Sequence, residues 1–197
     1  MKVIGAIIAG GKSSRMGGEE KAFLKLSGKS ILDLVIGRFD QQVDRVVINA
    51  NGNGRRFSET GLEIVPDVLT TLTTPLAGLH ACLRFAEGSD FLVTVPSDTP
   101  FLPLDLAFRL LERAQKGGAA IAHSGGQDHF IIGAWKTSLV HELETAIQKD
   151  GLFRVKDWAA RFSADIVTWP HLPYDPFFNV NSPEDLKFAE KIVRVNP

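Results

Sequence analysis

Short apolar runs alternate with helical stripes from the start of the chain. Val3 to Ile8 is a continuous apolar run that stops at Gly10 and Gly11, which predicts a buried strand feeding a tight loop. Ser30, with Asp33 three residues on, marks a helix start, and Ile31, Leu34, Val35 and Phe39 keep helical spacing. Val46-Val47-Ile48 and Glu63-Ile64-Val65 read as two further strands, and Phe91 to Val95 is the clearest of all. Between the last two, a threonine-rich loop leads to a helix opening on Pro75, whose missing N–H is harmless at the first helical position. A helix over 104–114 follows, with its apolar stripe at Leu106, Ala107, Leu110, Leu111 and Ala114. Two apolar runs around Gly125-Gly126 predict an antiparallel hairpin. Helices over 139–147 and 153–162, a late strand over 166–169 and a helix capped by Ser182, Pro183 and Asp185 complete the chain. Strands alternating with helices specify an α/β class. The expected architecture is a single Rossmann-like three-layer domain, mostly parallel, with a late antiparallel hairpin.

Length agrees with one domain over residues 1–197. A formal net charge of −1 argues against a nucleic-acid binder, which needs a broad excess of Lys and Arg. Cys82 is the only cysteine, so an internal disulfide and a multi-cysteine zinc site are excluded, and a reducing cytoplasm fits. The apolar stretch after Lys2 is short and runs into Gly-Gly-Lys rather than a small-residue cleavage site, and no stretch is long enough to span a bilayer. A soluble cytoplasmic protein without membrane partners is expected.

The candidate chemistry sits at strand ends. Gly10 and Gly11 let backbone N–H groups approach a polyanion, and Lys12, Arg15 and Lys21 add cations at short intervals, a phosphate cradle. A P-loop is rejected because its first glycine would fall on Ala6, inside the strand, and the dinucleotide fingerprint fails because the two glycines are adjacent. Asp98 is the first carboxylate after the Phe91–Val95 strand, where an α/β sheet presents ligand groups and a nucleotide-bound Mg²⁺ finds its protein carboxylate. Asn49-Ala50-Asn51 is a polar exit at another strand, and Pro66-Asp67 ends a third. Asn179 and Asn181 alternate on one face of an extended segment, and capping does not explain them. The histidines lack metal-ligand spacing and read as structural.

Ala9-Gly10-Gly11, Ser13, Arg15-Met16-Gly17-Gly18 and Lys21, together with Pro66-Asp67, Pro75-Leu76-Ala77-Gly78-Leu79, Pro96-Ser97-Asp98-Thr99-Pro100 and Phe177-Phe178-Asn179-Val180-Asn181-Ser182-Pro183, resemble the nucleotidyltransferases, most closely the molybdenum cofactor guanylyltransferases. Three positions depart from the family pattern: Glu20 stands where Asp is common, Thr74 where Gly is common, and Phe130 replaces the proline after His129. The resemblance implies nucleotide contacts from Ile8, Ala9, Gly10, Gly11, Lys21, Asn49, Asp67 and Asp98, with Asp98 holding the metal. It implies catalytic roles for Arg15, Lys21 and Asp98, acceptor contacts from Asn179 and Asn181, and Mg²⁺ as cofactor. Residues 1–100 would then hold nucleotide and metal, and residues 101–197 the acceptor. The reaction implied is GMP transfer from GTP to the terminal phosphate of molybdopterin with release of pyrophosphate, and the setting allows transient contact with cofactor-delivery or acceptor enzymes. The alternatives are a cytidylyl- or sugar-phosphate nucleotidyltransferase of the same fold, and a non-catalytic nucleotide-binding regulatory module.

Overall fold

In a computed structural model, which describes residues 1–9, 21–51 and 55–195, the chain forms a mixed sheet covered by helices on both faces. The elements in chain order are strand β1 (Val3–Ile8), a small hairpin of β2 (Lys25–Leu26) and β3 (Lys29–Ser30), helix α1 (Ile31–Phe39), β4 (Arg45–Asn49) and the short α2 (Arg55–Ser58). Then come β5 (Glu63–Val65), α3 (Pro75–Phe85), β6 (Phe91–Pro96), α4 (Leu106–Gly117), β7 (Ala119–Ser124) and β8 (Gln127–Lys136). Helices α5 (Val140–Asp150) and α6 (Val155–Arg161), strand β9 (Asp165–Thr168) and helix α7 (Pro183–Val195) follow.

Seven strands form one sheet in the order β5-β4-β1-β6-β8-β7-β9. The first four are parallel, β8 runs antiparallel to both neighbours, and β9 is parallel to β7. The α/β reading therefore holds. Two details depart from the sequence reading. Helix α4 begins at Leu106 rather than Leu104, because Pro103 opens a turn whose carbonyl accepts the Leu106 N–H and leaves Leu104 in solvent. Strand β8 starts before His129, and its pairing with β7 shifts abruptly: Ile121 faces Gly133, yet the next residue, Ala122, faces His129. Such irregularities bend a strand and redirect its side chains.

The period of two along β1 builds both cores. Val3 and Ile7 join the cluster containing residues of α1, α4 and α7, whereas Ile4, Ala6 and Ile8 join the cluster containing residues of α3, α5 and α6. Gly5 leaves room for α1: a Cβ there would lie 2.7 Å from the Phe39 ring. Helix α3 is pinned to α5 by Glu144, which accepts from Arg84 at 2.7 Å and pairs with the buried His80 at 3.0 Å. The hydrogen bond from His80, aided by Arg84, holds the Glu144 carboxyl below its ordinary range. This clamp fixes the helix whose first turn borders the site.

Candidate active site

Register brings the parallel strand ends into one row. Ile8 pairs with Asn49 on one side and with Pro96 on the other, and Asn49 pairs with Val65. The chain runs from β1 outward to β4 and β5 and then returns to place β6 on the opposite side of β1, so the sheet reverses direction beside β1. Such a crevice at the carboxyl ends of the strands is where open α/β sheets bind ligands. Ala9 and Ser97 are tied into it: the Ala9 N–H donates to the Asn49 carbonyl at 2.9 Å, and the Ser97 N–H donates to the Ile8 carbonyl at 3.2 Å. Gly10, Gly11, Lys12 and Arg15 of the expected cradle lie outside the described residues.

One end of the row is an amide and carboxylate cluster. Asn49 is fully buried and donates its Nδ2 to the Val65 carbonyl at 3.0 Å and to Asp67 Oδ1 at 2.8 Å. Asn51 donates to Asp67 Oδ2 at 2.6 Å and accepts the Asp67 backbone N–H at 2.8 Å. The buried Asn49 Oδ1 has no hydrogen-bond partner among the described residues. It rests on the first turns of α3, where a Cβ built on Gly78 would lie 2.2 Å from it. Glycine is required here by close approach. We expect Gly78→Ala to displace the Asn49 amide, breaking its bonds to Val65 and Asp67, and to lower stability by about 1–3 kcal/mol while weakening nucleotide binding. Thermal melting with and without GTP checks both, and an unperturbed variant would show that Asn49 has room to move.

The other end of the row carries Asp98. Its Oδ1 is buried without a hydrogen-bond partner among the described residues, and burial raises its carboxyl above the usual range against the opposing charge of Lys21. The chemistry of this oxygen fits a divalent metal, a hard cation that satisfies an orphaned carboxylate. Among the described residues no group of three His, Cys, Asp or Glu could hold a metal alone.

The segment carrying Asn179 and Asn181 docks directly on Asp98, with the Val180 N–H donating to the Asp98 carbonyl at 3.0 Å. Val180 is fully buried while Asn179 and Asn181 are exposed, as their alternation predicts. Lys21 Nζ donates to Asn181 Oδ1 at 2.7 Å, a contact across 160 positions of sequence. The expected cap is present in altered form. Asp185 N–H donates to Ser182 Oγ at 3.1 Å, but the Asp185 carboxylate accepts the Asn181 N–H at 2.9 Å, and so fixes Asn181 as well as the helix.

Two groups escaped sequence reasoning. The first is the Asn51 side of the Asp67 cluster, for which the signal was the alternation of Asn49 and Asn51 at one strand exit. The second is a buried anchor beneath the acceptor segment. Ser124 Oγ donates to Asp175 Oδ1 at 2.6 Å and pairs with His129 Nε2 at 2.8 Å, and the same Asp175 oxygen accepts the Phe177 N–H at 2.9 Å. Because the Ser124 hydroxyl proton goes to Asp175, His129 serves as the donor to Ser124. Burial lowers the His129 pKa, with Asp175 opposing. A hydrogen-bonded structural histidine is what the sequence reading expects.

Comparison with known proteins places these features in context. A family model described as "MobA-like NTP transferase domain" matches residues 5–163. The molybdenum cofactor guanylyltransferase of Nitrobacter hamburgensis is 39% identical over 198 residues, covering 98% of this chain and 95% of its own. The protein of the same name from Rhizobium meliloti is 41% identical over 194 residues, covering 93% of this chain and 88% of its own. Among solved structures, molybdopterin-guanine dinucleotide biosynthesis protein A from Archaeoglobus fulgidus superposes with a TM-score of 0.74 at 26% identity, covering 99% of this chain and all of its own.

Proposed function

Since this chain belongs to the molybdenum cofactor guanylyltransferase family and carries a nucleotidyltransferase domain, we propose that it transfers GMP from GTP to the terminal phosphate of molybdopterin, releasing pyrophosphate. The observation that carries this reading is the meeting at one sheet edge of Asp98, with its unpartnered carboxylate oxygen, and the Lys21–Asn181 contact. A donor nucleotide and a phosphate acceptor need a shared boundary, and this contact supplies one.

A phosphate monoester is anionic near neutral pH, so the chain need not supply a general base. One acceptor oxygen forms a bond to the α-phosphorus as the bond between that phosphorus and the bridging oxygen to the β-phosphate breaks. The electron pair leaves with pyrophosphate. Catalysis then consists of holding two anions in line and neutralising the leaving group. We assign Lys21, whose ammonium contacts Asn181, and Arg15 as the cations that neutralise the phosphates. On the same reading Asn179 and Asn181 serve the acceptor phosphate, and Ile8, Ala9, Gly10, Gly11, Asn49 and Asp67 serve the nucleotide. Enzymes of this kind work with a divalent metal. We infer Mg²⁺ held by Asp98, which when bound would supply Lewis-acid neutralisation at the phosphates. On this reading residues 1–100 serve the nucleotide and metal, residues 101–197 serve the acceptor, and the two halves work as one unit. No helix among the described residues is long and apolar enough to cross a membrane, and we place the reaction in the cytoplasm.

The test is pyrophosphate release by purified protein with Mg²⁺, each of the four nucleoside triphosphates, and molybdopterin. Turnover with GTP that requires molybdopterin is expected. Preference for CTP, or turnover with a sugar phosphate in place of molybdopterin, would move the chain to a sister activity. Tight GTP binding without turnover would make it a regulatory module. Within the same assay, Arg15→Ala and Lys21→Ala should each lower kcat/KM for GTP by about tenfold, equivalent to about 1.4 kcal/mol, without changing the order of nucleotide preference. Phosphates are common to all four nucleotides, so a switch of preferred base in either variant would refute the cradle assignment.

A further inference from the structure

We propose that Asn51 is a specificity-positioning residue that, with Asn49, fixes the Asp67 carboxylate so that one lone pair on each oxygen is left for two adjacent N–H donors of guanine. This rests on the reading of Asp67 as the base-facing group. An ionised carboxylate offers about four lone-pair sites on its two oxygens. Asn49 Nδ2 takes one on Oδ1 at 2.8 Å, and Asn51 Nδ2 takes one on Oδ2 at 2.6 Å. Among the described residues this leaves one acceptor site per oxygen, which matches N1–H and the 2-amino group of guanine in number and in their side-by-side arrangement.

The two asparagines are unequal. Asn49 is fully buried and held by the Val65 carbonyl and by Gly78, so removing it disturbs the sheet edge as well as Asp67. Asn51 is exposed and is bonded to Asp67 twice, as donor to the carboxylate and as acceptor of the Asp67 N–H at 2.8 Å. This reciprocal pair fixes the amide orientation, since exchanging its oxygen and nitrogen would set donor against donor and acceptor against acceptor. The terminal torsion of an aspartate is broad and two-fold, so a carboxylate held at one oxygen alone can rotate away from the plane of a bound base. Asn51 removes that freedom.

The test uses wild-type enzyme, Asn51→Ala and Asn51→Asp with molybdopterin as acceptor and GTP, inosine triphosphate or ATP as donor. Inosine triphosphate keeps N1–H and lacks the 2-amino group, so the GTP-to-inosine ratio of kcat/KM reads the second hydrogen bond alone. Wild type should favour GTP by about tenfold or more. In Asn51→Ala that ratio should fall toward one through a higher KM for GTP, with kcat and melting temperature close to wild type because the side chain is exposed. Asn51→Asp keeps the size and the acceptor for the Asp67 N–H but sets like charges together, and should lose more GTP efficiency than the alanine variant. An unchanged ratio in both variants overturns the inference, and so does an equal loss with all three nucleotides accompanied by lower melting. If wild type turns over GTP but does not separate it from inosine triphosphate, the base-reading role of Asp67 fails first and this inference falls with it.

Discussion

Asp98→Ala should lower kcat at saturating GTP and molybdopterin by about a thousandfold or more, a barrier increase of about 4 kcal/mol. The ligand-free variant should melt at or above the wild-type temperature. Both halves of the result come from one side chain. Its Oδ1 is buried without a partner among the described residues, and burial raises the carboxyl above its unfolded value. A group with a raised folded pKa contributes stability that is complete below the ordinary carboxylate range and is lost as pH rises through the raised value. At neutral pH the wild type carries that cost and alanine does not. The acceptor segment stays docked in the variant, because the bond from the Val180 N–H is to the backbone carbonyl of residue 98, which the substitution keeps. Added Mg²⁺ with GTP should raise the melting temperature of wild type and leave most of that gain absent in the variant. Near-normal turnover in Mg²⁺ would remove Asp98 from the mechanism.

The strands that frame the site are readable because each carries a short apolar run with polar residues at its exit, the mark of a buried parallel strand. Asp98 was readable for the same reason, being the first carboxylate past the clearest run. The insertion of β8 between β6 and β7 was not, since which strands pair is decided by packing across the whole sheet and leaves no local trace. The His129 register shift also lacks a local signature, as it depends on how β8 meets two different neighbours. Side-chain partnerships fared similarly. Asn51 and Asp67 are 16 positions apart, and Ser124 and Asp175 are 51 apart. The types of these residues announced hydrogen-bonding capacity, but only the fold chose the partners. Lys21 is the instructive case: its place after Gly10 and Gly11 gives no local sign of its contact with Asn181, which lies 160 positions away.

Asp67→Ala should reduce the preference for GTP over ATP by about tenfold to a hundredfold while lowering kcat at saturating GTP by less than about tenfold. The separation follows from geometry. Asp67 leaves the sheet at β5, its outer strand, and Asp98 leaves at β6, with β4 and β1 between them. Removing the Asp67 side chain leaves the Lys21–Asn181 contact and the docking of Val180 on residue 98 untouched. Guanine presents N1–H and its 2-amino group side by side to a carboxylate, whereas adenine presents an acceptor at N1 and no amino group at C2. In wild type, ATP would therefore set a lone pair against the half-buried carboxylate and leave the acceptor sites not taken by Asn49 and Asn51 unpaired, a cost of about 1–3 kcal/mol. Alanine removes the penalty for ATP together with the reward for GTP, so the ratio narrows from both sides. Asn49 keeps its bond to the Val65 carbonyl, which limits structural damage to the cluster. The measurement is kcat/KM for GTP and ATP with molybdopterin in both enzymes, alongside melting temperatures. Intact turnover with an unchanged GTP-to-ATP ratio would mean that base selection lies elsewhere, and that Asp67 serves only to close the turn after β5.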